Sequence, residues 1–280
     1  MAAVDALPRI TVVTPSLNQG DFLEKTIRSV LDQGYPQLEY IIIDGGSSDG
    51  SVDIIRRYAD RLAFWCSEPD RGQSHAINKG LSRATGVLMN WINADDVLFP
   101  GALHRVAETY RRRPNADLYV GQHARSGPDG RIIHASAVPL RAALAPRYKV
   151  TPLGQQSTFF TARAYRRVGG VREDLHMVMD NDLYQRIFLS GGRLARVAGM
   201  VGLIREHPQA KTSRFLPAGR QETRRLWREQ GIHPWQWRLG AVKQRLVMLL
   251  TGTYARTLLL RRKWVGKTAW GEGGPGGAPC

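Results

Sequence analysis

Two cysteines in 280 residues, Cys66 and Cys280, offer no disulfide framework, and a reducing compartment is the default for such a chain. Residues 1–9 carry no apolar core of signal-peptide length. No uninterrupted apolar run reaches the roughly 18 residues that a spanning helix needs. No strand-to-helix turn carries the glycine-rich G-x-G-x-x-G of dinucleotide sites or the G-x-x-x-x-G-K-[ST] loop of nucleoside triphosphatases; the first such turn reads Thr14-Pro-Ser-Leu-Asn-Gln-Gly-Asp21 instead. RRM, KH and zinc patterns are missing as well. Acid is scarce at one end only. Residues 211–280 hold 14 Lys and Arg against 3 Asp and Glu, a net charge of +11, whereas residues 1–210 hold 26 and 21, a net of +5. A basic C-terminal quarter suits an anionic membrane surface or a nucleic acid.

What is present reads as a soluble α/β protein, at 42 % hydrophobic and 23 % charged residues. Ile10-Thr-Val-Val-Thr14 and Glu39-Tyr-Ile-Ile-Ile-Asp44 are continuous apolar runs of the kind buried on both faces of a parallel sheet. Leu62 to Cys66 and Val87 to Ile92 add two more strands. Helical patterns separate them at Phe22–Leu31, Ser51–Tyr58 and Ser74–Ala84, with Asp21 and Glu24 placed as a capping box for the first. Alternation of this kind predicts right-handed crossovers and a ligand site beyond the C-terminal strand ends. Thr14, Asp44, Asp70, Asp95 and Asp96 all fall there.

The stretch Val87-Leu-Met-Asn-Trp-Ile-Asn-Ala-Asp-Asp-Val97 concentrates the chemistry. An apolar strand that ends in adjacent carboxylates needs something positive on them. A hard divalent cation takes carboxylate and phosphate oxygens together. The alternative is that these residues cap the helix expected at Pro100–Tyr110. Beyond residue 115, strands are expected at 116–121, 131–134 and 155–160, and a final strand pair within 193–204. Helices are expected at 162–168 and 180–189. Asp180 and Asp182 fall in the first turn of the latter, where a carboxylate suits the helix dipole.

Five segments together resemble the family 2 glycosyltransferases. They are Ile-Asp-Gly-Gly-Ser-Ser-Asp-Gly (43–50), Ser-Glu-Pro-Asp-Arg-Gly-Gln (67–73), Ala-Ile-Asn-Lys-Gly (76–80), Asn-Ala-Asp-Asp (93–96) and Gly-Gln-Gln-Ser-Thr-Phe-Phe (154–160). The likeness runs over about Ile10 to Lys211. It implies the GT-A fold, a mostly parallel sheet flanked by helices, over residues 1–210. It is similar to members that build bacterial surface polysaccharides of the O-antigen and colanic-acid type. The resemblance implies that Thr14, Pro15, Ser16, Asn18, Arg71, Gln73 and Asn78 line the nucleotide-sugar site. Asp44 accepts a hydrogen bond from the base, commonly uracil, Asp95 contacts the ribose, and Asp96 with His207 holds Mn²⁺ or Mg²⁺. Asp180 is implied as the catalytic base, with Asp182 in reserve. Alternatives stay open from the residues alone: Asp180 as a helix cap, Asp44 as a turn former, His207 as a structural histidine, Arg71 as a solvated charge. Three positions depart from the family pattern: Leu17 where Tyr is common, His75 where an acid is expected, and Asn93 in place of the first Asp.

Glycosyl transfer passes through an oxocarbenium-like state. The leaving diphosphate gains charge, which a cation offsets, and the acceptor hydroxyl loses a proton to a carboxylate. A single base opposite the leaving group predicts inversion. Residues 211–268 are expected to form a basic amphipathic helical region, with apolar Leu246–Leu250 and Leu258–Leu260 flanked by Arg and Lys, lying at a membrane surface with Trp235 and Trp237 at headgroup depth. A helix packed on the catalytic domain is the alternative there. Residues 269–280 are expected to be a flexible tail. The expected setting is cytoplasmic, peripheral at the inner face of the cell membrane, with a saccharide or lipid-linked acceptor. Two rival functions are a nucleic-acid binder using the basic segment and a sugar-nucleotide pyrophosphorylase, which lacks its glycine-rich opening loop here.

Overall fold

The protein was analysed as a computed structural model that describes residues 7–138, 153–211 and 216–269. The expected tail and Cys280 lie outside the described residues, as does the side chain of Trp237. Nine strands form one sheet: β1 (Ile10–Ser16), β2 (Leu38–Asp44), β3 (Phe64–Ser67), β4 (Leu88–Trp91), β5 (Val97–Leu98), β6 (Leu118–Ser126), β7 (Ile132–Ser136), β8 (Thr158–Thr161) and β9 (Leu194–Arg205). Their order is β3-β2-β1-β4-β8-β6-β9-β5, with β7 on β6. The first four neighbours are parallel. Beyond them the sheet is mixed, with β8 antiparallel to both β4 and β6 and β9 parallel to β6.

The helices are α1 (Gly20–Leu31), α2 (Ser51–Arg57), α3 (Gln73–Leu81), α4 (Ala102–Arg112), α5 (Ala162–Arg167) and α6 (Met179–Leu189), then α7 (Leu216–Glu229), α8 (Pro234–Leu250) and α9 (Thr253–Trp264). Side chains alternate across the buried strands. Val12, Tyr40 and Ile42 meet Leu23, Ile27 and Val30 of α1, while Val13, Ile41 and Ile43 meet Ile77 of α3 on the other face. That two-sided burial is why β1 and β2 are unbroken β-branched runs. A Cβ on Gly80 would lie 2.4 Å from the Val13 side chain, so only glycine lets α3 lie this close to the sheet.

Several expectations shift. Asp21 does not cap α1. The helix starts at Gly20, whose N–H donates to Asp49 Oδ2 at 2.8 Å, so the loop after β2 supplies the partner. Glu24 turns instead to the Tyr58 hydroxyl at 2.9 Å. The expected strand at 155–160 opens as a 3₁₀ turn at Gln155–Ser157. The expected strand pair is one strand, β9, kinked at Gly199 with φ +81°. The register against β6 shifts at that kink, as a bulge requires.

The basic region divides between two kinds of contact. Helix α9 sits on the sheet edge, where Leu260 and Trp264 pack against the cluster of Phe99, Ile132 and Met200. Trp264 meets the Phe99 ring edge-on at 5.4 Å. The chain then returns to β7 through Ile132 N–H to Lys267 O at 2.8 Å and Gly266 N–H to Ile132 O at 2.8 Å. Large apolar side chains of α8 remain exposed.

Candidate active site

The C-terminal ends of β1, β2, β3 and β4 form a polar rim. Asn18 ties its first two loops together: Ser48 N–H donates to its Oδ1 at 2.9 Å, and its own N–H donates to Ser47 Oγ at 2.8 Å. Asn18 adopts φ +50°, which asparagine tolerates better than most residues. Asp44 is fully buried. Its carboxylate accepts from Gly46 N–H at 3.1 Å, Ser47 N–H at 2.8 Å, Ser47 Oγ at 2.6 Å and Ser67 Oγ at 2.7 Å. These donors fill most of what a carboxylate accepts, so Asp44 organises the loop.

The acidic pair divides its work. Asp96 points inward and is 3 % exposed. It accepts from Asn93 Nδ2 at 3.0 Å, from the Arg205 N–H at 3.2 Å and from Gln156 Nε2. Burial, and then the neighbouring Asp95 carboxylate, push its pKa well above the ordinary carboxylate range. Asp95 points the other way, toward His207, with Oδ2 3.2 Å from Nε2. The His207 ring is held over Phe22, centroids 4.1 Å apart. Arg205 props this corner from beneath. Its guanidinium donates to the carbonyl of Asp95, to that of Phe22 at 3.0 Å and to Thr26 Oγ1 at 2.9 Å.

Asp180 and Asp182 separate as sharply. Asp182 is 1 % exposed and forms an ion pair with Arg186 at 2.6 Å. Asp180 is half-buried and accepts the Asn181 N–H at 2.8 Å and its own backbone N–H, with no ion pair among the described residues. Burial pushes its pKa up to about 6. Neither Asp180 nor Asp96 caps a helix: α6 is preceded by Val178 and α4 by Gly101. The loop leading into α6 is fixed by Glu222 of α7, whose carboxylate accepts from the N–H groups of His176 and Met177 at 2.9 Å and of Val178 at 3.3 Å. Ser74 of α3 donates to Leu175 O in the same loop at 2.6 Å. Its neighbour Gln73 donates to Asn93 Oδ1 at 2.8 Å. One chain of contacts thus links the acidic corner to the helix that carries Asp180.

A family model described as glycosyl transferase family 2 matches residues 11–169. This chain belongs to that family. It is a glycosyltransferase with the GT-A fold. The uncharacterized glycosyltransferase Rv1514c of Mycobacterium tuberculosis is 32 % identical over 186 residues, 65 % of this chain and 70 % of that one. The putative teichuronic acid biosynthesis glycosyltransferase TuaG of Bacillus subtilis is 36 % identical over 134 residues, 46 % of this chain and 53 % of its own. Among solved structures, mannosyltransferase PcManGT from Pyrobaculum calidifontis, in complex with GDP-Man and Mn²⁺, superposes with a TM-score of 0.61 at 20 % identity over 93 % of this chain and 76 % of that one. TarS 1–349 of S. aureus in complex with UDP-GlcNAc gives 0.59 at 16 %, over 74 % of this chain. The match spans about three fifths of that TarS chain.

Within this family 2 site, the other expected positions fall into four groups. Thr14 lies inside the sheet with its hydroxyl 2.9 Å from the Tyr40 hydroxyl, and Pro15 and Ser16 are buried beside it. These three form the floor of the rim. Asn78 is consumed structurally: it donates to Val171 O at 2.7 Å and accepts from Tyr165 OH at 2.7 Å and Val171 N–H at 3.0 Å. Its amide thus clamps α3 to the loop before α6. Arg71 pairs with Glu173 at 2.7 Å on the surface. Gln73, by contrast, faces the corner, accepting from Lys211 Nζ at 2.9 Å. Sequence reasoning did not find Arg205, Gln156, Lys211 or Glu222. Arg205 and Lys211 flank His207 closely, and Gln156 sits in a quoted motif, so proximity was the available signal.

Proposed function

We propose that this chain transfers a sugar from a nucleoside diphosphate sugar to a hydroxyl acceptor, with inversion, during cell-surface polysaccharide synthesis. The observation that carries the reading is Asp180: an unpaired, half-buried carboxylate whose pKa of about 6 suits a general base at neutral pH. Asp180 takes the acceptor's proton and Asp182 stays with Arg186. The donor lies along the rim, its diphosphate toward Asp95 and His207. Among the described residues no three His, Cys, Asp or Glu side chains gather to cage a metal. A carboxylate and an imidazole nevertheless fit Mn²⁺ or Mg²⁺ where substrate phosphates complete the shell. The resemblance implies Asp96 beside His207 as the holder of the ion, but the Asp96 oxygens are turned inward to Asn93, Gln156 and the Arg205 N–H, so Asp95 and His207 would hold it. When bound, the cation offsets the charge gathering on the leaving diphosphate. The Mn²⁺ in the PcManGT complex and the donors in the PcManGT and TarS complexes support this.

The acceptor side of the reading is a lipid-linked saccharide met at an anionic membrane surface. No helix among the described residues is long and apolar enough to cross a bilayer. On α8, Trp235, Leu239, Val242, Leu246 and Leu249 are each 53–66 % exposed and recur every three or four residues, which places them on one stripe. Arg238, Lys243 and Arg245 flank it, and neither α8 nor α9 contains an acid. A second copy on this stripe would set cation against cation; an anionic bilayer satisfies both stripe and flanks. The same stripe disfavours nucleic acid, which wants charge without apolar area. A thermal-shift screen of UDP-, GDP- and dTDP-sugars with and without Mn²⁺ tests the donor reading. One of them should raise the melting temperature, more so with metal. No shift from any donor would remove it.

A further inference from the structure

We propose that Asp70, not Asp44, is the carboxylate that reads the nucleobase of the donor; this rests on the nucleotide-sugar reading above. Asp44 is buried beneath four donors and cannot reach outward. Asp70 follows β3, on the same rim. Its Oδ1 accepts the Gly72 N–H at 2.7 Å, which fixes the side chain in a tight turn. Its Oδ2 has no partner among the described residues and lies over Gly45. A Cβ on Gly45 would sit 2.7 Å from that oxygen and 3.4 Å from Leu17 Cδ1. Gly45 does not adopt a left-handed φ, so the backbone does not demand glycine there. The space does.

Three adjacent strands therefore deliver one small constellation. β1 ends beside Leu17, which is 52 % exposed. β2 ends at Asp44 and is followed by Gly45, whose N–H donates to Ser16 O at 2.8 Å and draws the two turns together. β3 leads to the free oxygen of Asp70. An apolar side chain with an acceptor-only oxygen at its edge fits a planar heterocycle that offers an N–H. Uracil and thymine carry one at N3 and guanine at N1. Cytosine and adenine present a lone pair at the equivalent position, which faces the carboxylate with repulsion. Asp70 accordingly selects the N–H bases and rejects the other two.

Calorimetric titration with UDP, dTDP, GDP, CDP and ADP in the presence of Mn²⁺ tests this on the unaltered chain and on Asp70→Asn. The preferred nucleotide should be one with the N–H edge. Its advantage over its partner, UDP over CDP or GDP over ADP, should shrink about tenfold to hundredfold in the variant, the range of a hydrogen bond to a charged group. The asparagine amide can offer its own N–H to cytosine or adenine. Methylating the edge, as 3-methyluridine or 1-methylguanosine diphosphate, should weaken binding to the unaltered chain by a similar factor, whatever the variant does to folding. An unchanged ratio in Asp70→Asn, or indifference to methylation, overturns the role of Asp70 and leaves the donor reading standing. No binding of any of the five nucleotides overturns both.

Discussion

The sheet rim and helix α8 depart from ordinary burial in opposite directions. At the rim, charged side chains are drawn inward. Asp44 and Asp96 are buried and answered by donors from several loops, and Asp182 of α6 is buried against Arg186 one turn along its own helix. On α8, large apolar side chains are pushed outward, with Leu250 as much as 84 % exposed. Buried charge is tolerated only when paired, and exposed apolar area in a row marks an interaction surface. The rim has spent most of its polar capacity on itself and kept back a few atoms, on Asp70 and Asp95, while α6 keeps back Asp180. The helix leaves more than half of its apolar stripe exposed. On the proposed reading each region answers a different partner, one small and polar, the other extended and apolar.

The strongest way to break this comparison is at the least committed carboxylate. Asp180→Asn should lower kcat about 10²- to 10⁴-fold while leaving nucleotide affinity unchanged by calorimetry; an active variant would return the base role to another group. The wild-type rate should rise with pH through about 6 as Asp180 loses its proton. Stability runs the other way. The folded pKa lies above the ordinary aspartate value of 3.8, so the folded state favours the protonated acid. That contribution is complete below about 3.8 and lost as pH climbs past about 6. Asp180→Asn should therefore melt higher than wild type at pH 8 and show little such gain at pH 4.

A smaller effect separates the two members of the acidic pair. Asp95→Ala should reduce the Mn²⁺-dependent part of nucleotide binding about tenfold to hundredfold and leave the melting temperature near wild type. Asp96→Ala should do the reverse in emphasis, lowering the melting temperature because Gln156, Asn93 and the Arg205 N–H lose their acceptor. Equal melting curves for the two variants would erase the division drawn between them. The mildest change is on the stripe. Leu246→Ser should alter folding stability by no more than about 0.5 kcal/mol yet weaken sedimentation with anionic vesicles. Retained vesicle binding together with a new monomer peak in sizing would assign the stripe to self-association instead.

The parallel half of the fold was readable because two-sided burial writes itself as β-branched runs closed by Gly-Gly, Asp-Gly and Pro-Asp turns. The mixed half was less so. Two residues, Val97 and Leu98, cannot announce β5 by any periodicity, and the kink at Gly199 made one long strand look like two. The carboxylates at the strand ends were legible as a set and not as individuals. Every Asp at a strand end looks alike in sequence. Which of them is spent depends on donors far along the chain: Ser67 for Asp44, Gln156 and Arg205 for Asp96. Glu222 was invisible for the same reason, since its three backbone donors lie more than forty residues upstream.

The return of residues 266–268 to β7 has a mechanical meaning. Lys267 and Gly266 clasp both sides of Ile132, Thr268 bridges Arg131, and the Arg131 guanidinium reaches Gly266 O at 3.0 Å. A clasp of this kind works as an anchor bolt rather than a leash. If the outer helices settle into lipid, the clasp and the Leu260 and Trp264 packing of α9 would together pass a fixed tilt on to the sheet.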